Sequence, residues 1–199
     1  MDDRINRLKK TDIEAIVNRD DIESRDGYTR GYSQNTSKIK LCTLYNYKGQ
    51  GNYGMCWAAS VASIVNYIKG SNISAATVCK KMNIGYNDGA TPGQAQLALM
   101  KYGVDYNLRT AAKFMSWSTL KLNINNKYPI YISCKSGSSG HAIVMYGYKD
   151  QTTKYMCVWN PGTNSGKGST QVIKYQTSPS FTYGNKTYVC KYTNSQYSE

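Results

Sequence analysis

A cysteine, a histidine and an asparagine, set far apart along the chain, are the residues whose types and settings suit nucleophilic chemistry. Cys56 follows the polar, glycine-bearing stretch YKGQGNYGM and opens the apolar, small-residue run CWAASVASIVNYI. That run reads as a buried helix, so Cys56 would stand at a helix N-terminus, where the positive end of the dipole favours thiolate over thiol. Gly51 and Gly54 let the approaching backbone turn sharply and come close to a ligand. Taken alone, Cys56 is as well explained as a small buried hydrophobe.

A sulfur nucleophile needs a base, and the chain holds one histidine, His141. It opens the apolar strand pattern HAIVMYGY directly after SGSSG, which predicts a ring projecting from a strand end beside a mobile loop. Asn160, in VWNPG, ends the next strand pattern and would lie beside His141 if the two strands pair through KDQTTK. Its amide oxygen could accept the ring N–H and fix the tautomer, with Trp159 shielding that bond from water. Asparagine before proline is also an ordinary turn residue. Together the three signals point to one site, a thiol nucleophile with its base.

The elements that must bring these residues together come in a simple order. KIKLCTLYNY reads as a strand, followed by a helix of about four turns from Cys56. SAATVCKKMN predicts a short second helix, and GATPGQAQLALMKYG a third, with Thr91 as N-cap, Pro92 at the first helical position and Gly103 as C-cap. SWSTLKLNINN reads as a fourth helix. After Pro129 come the strand patterns IYISC, HAIVMYGYKD, KYMCVWNP, TQVIKYQ and KTYVCKYT, separated by Gly, Asn and Ser turns. Helices first and antiparallel strands afterward make an α+β class.

Composition divides the chain. Residues 1–30 hold eight of the twelve acids and five of the six arginines, whereas residues 31–199 carry 18 Lys+Arg against four acids. The break predicts a charged N-terminal segment over 1–38, a pro-segment remnant or linker, ahead of a domain over 39–199. Ile5, Leu8, Ile13, Ile16 and Val17 give the segment a partial helical stripe. No run of 18 apolar residues spans a membrane, and MDDRINRLKK lacks the apolar core of a signal peptide. The expectation is a secreted or cell-surface bacterial protein, rich in surface tyrosine, that begins after a removed leader. Lysines are spread singly with almost no arginine among them, which argues against a specific nucleic-acid partner and suits attraction to anionic cell surfaces. No CxxC occurs and the sole histidine is committed, so neither a metal site nor another cofactor is expected. Cys42, Cys79, Cys134, Cys157 and Cys190 form an odd remainder that leaves at least one free thiol in a monomer, the expected state. Cys134 and Cys157, in apolar strands, read as buried hydrophobes.

QGNYGMCWA resembles the active-site segment of papain-like cysteine peptidases, in which a glutamine stands six residues before Cys-Trp, as Gln50 does here. GHAIVMYGY resembles the family's histidine strand and VWNPG its asparagine strand, in the family's chain order. The motifs bracket residues 47–165, and the layout covers about 41–195. The resemblance implies a papain-like fold, with a helical half led by Cys56, a sheet half carrying His141 and Asn160, and a cleft between them. It implies Cys56 as nucleophile, His141 as base and later acid, Asn160 as orienter, and Gln50 with the Cys56 backbone N–H as oxyanion hole. It also implies a Cys–His ion pair that holds the thiolate below the free-thiol pKa of about 8.5. Tyr53 stands where plant and animal papains carry a cysteine, and Asn160-Pro161-Gly162 where they carry Asn-Ser-Trp. The compact size and the Trp-Asn-Pro ending look more like the bacterial staphopain branch.

An endopeptidase acting on protein or peptide substrates is thus the expected function. A Cys–His cell-wall amidase and an inactive papain-like binding protein are the alternatives. Gln50 and the Trp-Asn pair favour the peptidase over the amidase, and retention of Gln50, Cys56, His141 and Asn160 together argues against a lapsed enzyme.

Overall fold

The computed structural model describes residues 39–42, 48–162 and 167–198. The N-terminal stripe from Ile5 to Val17, the linker after it and the strand pattern beyond Cys42 lie outside the described residues. Residues Ile39–Glu199 form one compact unit.

Four helices stand among the described residues, and three begin where a hydroxyl can cap the first turn. Ser74 accepts from the Thr77 N–H ahead of α2 (Ala75–Met82), and Ser116 from the Thr119 N–H ahead of α4 (Trp117–Asn125). Thr91 and Gln94 form a reciprocal capping box ahead of α3 (Pro92–Lys101): Oγ1 accepts the Gln94 N–H at 3.2 Å and Oε1 accepts the Thr91 N–H at 2.8 Å. At the other end of α3, Tyr102 is the C-cap, and the predicted capping glycine, Gly103, follows it with a left-handed φ of 73°. The remaining helix, α1 (Cys56–Lys69), starts after Met55 with no side-chain cap.

Among the described residues, eight antiparallel strands form one sheet: β1 (Ile39–Leu41), β2 (Asn107–Arg109), β3 (Ile130–Ser136), β4 (Ser139–Asp150), β5 (Lys154–Asn160), β6 (Ser169–Lys174), β7 (Ser180–Tyr183) and β8 (Lys186–Ser195). The main path runs β2-β8-β3-β4-β5-β6, with β1 paired to β4 and β7 to β8. The KDQTTK segment closes the predicted hairpin, with Asp150 opposite Lys154 and Val144 opposite Trp159. SGSSG, expected as a loop, is a tight turn instead. Ser136 pairs with Ser139 across it, and Gly137 supplies the positive φ of 56° that such a turn needs. The two short strands β2 and β7 were absent from the sequence reading.

Helix α1 packs on β3 and β4 and against α2 and α3. Its residues from Trp57 to Asn66 are all buried, so it is enclosed on every side, as its small-residue composition permits. Ile64, Leu99, Ile132, Ile143, Met145 and Trp159 fill the surrounding core. Tyrosine belongs to that core as well as to the surface, because two phenylalanines cannot supply its aromatic volume. Tyr106, Tyr131, Tyr146, Tyr148 and Tyr188 are buried. The hydroxyl of Tyr106 donates to the Pro129 carbonyl at 2.7 Å and that of Tyr148 to Asn125 Oδ1 at 2.8 Å, which offsets the cost of burying them.

All six cysteines are free, and burial pushes the Cys157 thiol up to about 12, as expected of an inert core residue. The sulfurs of Cys134 and Cys190 lie 3.7 Å apart across β3 and β8. No helix among the described residues is long and apolar enough to cross a membrane.

The exposed capping box isolates one local contribution to stability. Thr91→Ala should lower the unfolding free energy by about 1 kcal/mol in a urea titration. An unchanged midpoint would mean that tertiary packing alone fixes the start of α3.

Candidate active site

Cys56 is the first residue of α1, and the missing cap there has a chemical consequence. In the other three helices a side-chain oxygen occupies first-turn N–H groups, whereas the N-terminus of α1 leaves them free to act on the sulfur. The backbone N–H groups of Ala142, Trp57 and Cys56 itself favour the Cys56 thiolate. Helix α1 packs on β4, the strand that carries His141 and Ala142. The loop ahead of Cys56 is fitted closely to its surroundings. A Cβ at Gly54 would come within 2.9 Å of the Asn87 carbonyl oxygen, so only glycine allows that approach. Trp57 anchors the same region by donating its indole N–H to the Asp88 carbonyl at 3.1 Å.

His141 lies within the β3–β4 ladder, opposite Cys134, and is 5% exposed. Its position therefore comes from strand register rather than from a strand end beside a loop. Nε2 lies 2.7 Å from Asn160 Oδ1. The same oxygen accepts the backbone N–H of Gly162 at 2.9 Å. A backbone N–H can only donate, which identifies this atom as the amide oxygen; Nε2 must then carry the ring proton, leaving Nδ1 as the acceptor of the neutral imidazole. Asn160 ends β5 and is fully buried, so of the three residues Cys56, half-buried, is the most open to solvent.

Gln50 enters the site from the loop before α1. Its backbone N–H donates to the Pro161 carbonyl at 3.0 Å, and its side-chain Nε2 donates to the Tyr53 carbonyl at 2.7 Å. One Nε2 proton is thereby used, and the second remains for a ligand. Gln50, Cys56, His141 and Asn160 are thus linked through adjacent residues into one region.

Trp159 does not supply the shield expected of it. Neighbouring residues of a strand point to opposite faces, so Trp159 and Asn160 diverge, and the Trp159 indole donates instead to the Lys167 carbonyl at 3.2 Å. The cover on His141 comes from the β7–β8 hairpin. Tyr183 stacks on the imidazole with ring centroids 4.8 Å apart and planes 17° from parallel, while Tyr188 and Phe181 meet it at a tilt. The sequence signal for this hairpin was the two-residue Gly184-Asn185 turn between Tyr183 and Lys186.

Burial opposes charge on both Cys56 and His141. It pushes the Cys56 thiol up, against the pull of its three backbone N–H donors. It holds the His141 imidazolium below its ordinary value of 6.5, against the bond to Asn160. An ion pair here must therefore draw on the mutual attraction of thiolate and imidazolium to offset their desolvation. Among the described residues no cluster of three or more His, Cys, Asp or Glu side chains is arranged to hold a metal.

The sign of the histidine shift can be read directly, because the chain holds no other imidazole. In Cys56→Ala protein, which has no thiolate to attract the proton, the NMR titration of His141 should fall below 6.5. The unfolded chain then binds the proton more readily than the folded one. The stability present above pH 6.5 should be lost as pH falls from there through the folded pKa. Titration at or above the ordinary value would show that burial is not the dominant influence.

A protein family described as papain-like cysteine protease AvrRpt2 matches residues 37–178, well over half of the 199-residue chain. The matched span contains Gln50, Cys56, His141 and Asn160 and makes no statement about the staphopain branch. No curated protein matches the chain. With its helix-borne cysteine and its strand-borne histidine and asparagine inside that span, the chain belongs to the papain-like cysteine protease family.

Proposed function

We infer that this chain is an endopeptidase that hydrolyses peptide bonds through a thioester at Cys56. The observation that carries the reading is the bond from His141 Nε2–H to Asn160 Oδ1, on the strand against which the Cys56 helix packs. It leaves Nδ1 to take the thiol proton as the sulfur attacks the substrate carbonyl carbon. The tetrahedral oxyanion is met by the Cys56 backbone N–H and by the second Nε2 proton of Gln50, each such donor being worth about 3 to 4 kcal/mol in the transition state. Collapse breaks the C–N bond, and the imidazolium returns its proton to the leaving amine. Water, deprotonated by the same ring, then releases the acid and regenerates the thiol.

The division into a helical portion led by α1 and a sheet carrying His141 and Asn160 supports a papain-like fold. The family match supports peptide substrates over peptidoglycan amides. A secreted or surface-attached enzyme of this type would meet oxidants, and its nucleophile would need a reductant to stay active. Residues 1–38, whose acids contrast with the basic remainder, fit a segment that restrains the enzyme until it is removed.

Intact-mass labelling with an epoxysuccinyl peptide, a reagent that alkylates papain-type thiols, tests the assignment. A single adduct should form on the wild type and none on Cys56→Ala. His141→Ala should lower casein hydrolysis by about 10²-fold or more, and Asn160→Ala should cost less. Labelling only after limited proteolysis would assign residues 1–38 the restraining role. Full activity in Cys56→Ala, or no adduct in any state, would overturn the peptidase reading.

A further inference from the structure

His141 is held at one end by Asn160, and a single hydrogen bond along the Nε2–H direction leaves the ring free to turn about that direction. Productive proton transfer needs the ring plane as well as the bond, because Nδ1 must point at the sulfur. We propose that Tyr183 is a positioning residue that sets this plane by lying flat on one face of the imidazole. The proposal rests on the peptidase reading and extends it to a residue beyond position 178, where the family match ends.

Three independent features support the role. Among the rings around His141, Tyr183 alone is near parallel, at 17°, whereas Tyr188 and Phe181 are tilted by 51° and 48° and could not fix a plane by themselves. Gly162 leaves room for the stack. A Cβ there would fall 2.6 Å from the Tyr183 hydroxyl oxygen and 3.0 Å from His141 Cε1, so any side chain would part the two rings. The hairpin carrying Tyr183 is fastened to the strand carrying His141. Lys186 Nζ donates to Ser139 Oγ at 2.6 Å, two residues before the histidine, and Phe181 stacks on its cross-strand partner Tyr188 at 5.8 Å behind the site.

The chemistry suits a tyrosine. A flat aromatic face attracts the imidazolium that forms during acylation. Tyr183 itself stays neutral there, because burial, Tyr188 and the neighbouring Cys56 sulfur all oppose its ionisation. Half-buried, it covers one face of the ring and leaves the in-plane edge that carries Nδ1 uncovered by the stack.

Replacing the residue three ways separates plane-setting from bulk. Tyr183→Phe keeps the flat face, Tyr183→Leu keeps apolar volume without it, and Tyr183→Ala removes both. With the full chain and a peptide substrate, Phe should retain kcat within about threefold, while Leu and Ala should lose about tenfold to a hundredfold in kcat with KM little changed. The sole histidine gives a second readout that needs no activity. The Hδ2 and Hε1 resonances of His141 should carry the upfield ring-current shift of a stacked partner in wild type and Tyr183→Phe, and lose it in Tyr183→Leu. Unchanged kcat in the Leu variant, or unchanged imidazole resonances in a folded Leu variant, would overturn the proposal. A wild type that takes no epoxysuccinyl adduct would overturn the peptidase reading beneath it, whatever the resonances showed.

Discussion

One oxygen atom constrains most of what surrounds it. Asn160 Oδ1 accepts from both His141 Nε2 and the Gly162 N–H, and each donor needs a particular backbone arrangement to arrive there. The histidine arrives through the register of β4 against β3 and β5, in which a slip of one residue would turn it to the opposite face. The glycine arrives because Pro161 bends the chain immediately after β5, so that position 162 folds back onto the side chain of position 160. Fully buried and met by a backbone N–H that can only donate, the oxygen leaves His141 Nε2 to donate as well, which fixes the tautomer.

The helix that presents the sulfur is built on the opposite principle. Where α2, α3 and α4 spend a hydroxyl on closing their first turns, α1 follows Met55, which offers no side-chain cap. An open helix start is a local weakness, and here it is offset by enclosing the rest of α1 on all sides, from Trp57 to Asn66. Burial carries the helix while its tip stays free for chemistry. The same burial opposes charge on both Cys56 and His141, so the enclosure that steadies the site also makes proton transfer within it depend on the substrate and on the backbone N–H donors.

How much of this was legible in the sequence depended on whether a residue acts through its type or through its placement. Cys56, His141, Asn160 and Gln50 stand out in the sequence because nucleophilic chemistry restricts the residue type and their spacing resembles a family motif. The capped helices were legible because Ser74, Thr91 and Ser116 act on their own neighbours. Strands β2 and β7, of three and four residues, are too short for alternation to register. The turn at Gly137 looked like a loop because serine and glycine serve both. Tyr183 and Trp159 show the limit most clearly. Both are aromatic and near the motif, yet which ring covers His141 depends on strand faces and on a hairpin from the end of the chain, which no local pattern encodes.

The bond from the Gln50 N–H to the Pro161 carbonyl ties the loop before Cys56 to the turn that follows Asn160. Proline offers no N–H in exchange, so this is a one-way link, and its acceptor lies one residue from Asn160 and one from Gly162. A shift of the Gln50 loop would therefore be felt at the turn that sets the Gly162 N–H on Asn160 Oδ1. Two stretches more than a hundred residues apart in sequence are thus held as one part.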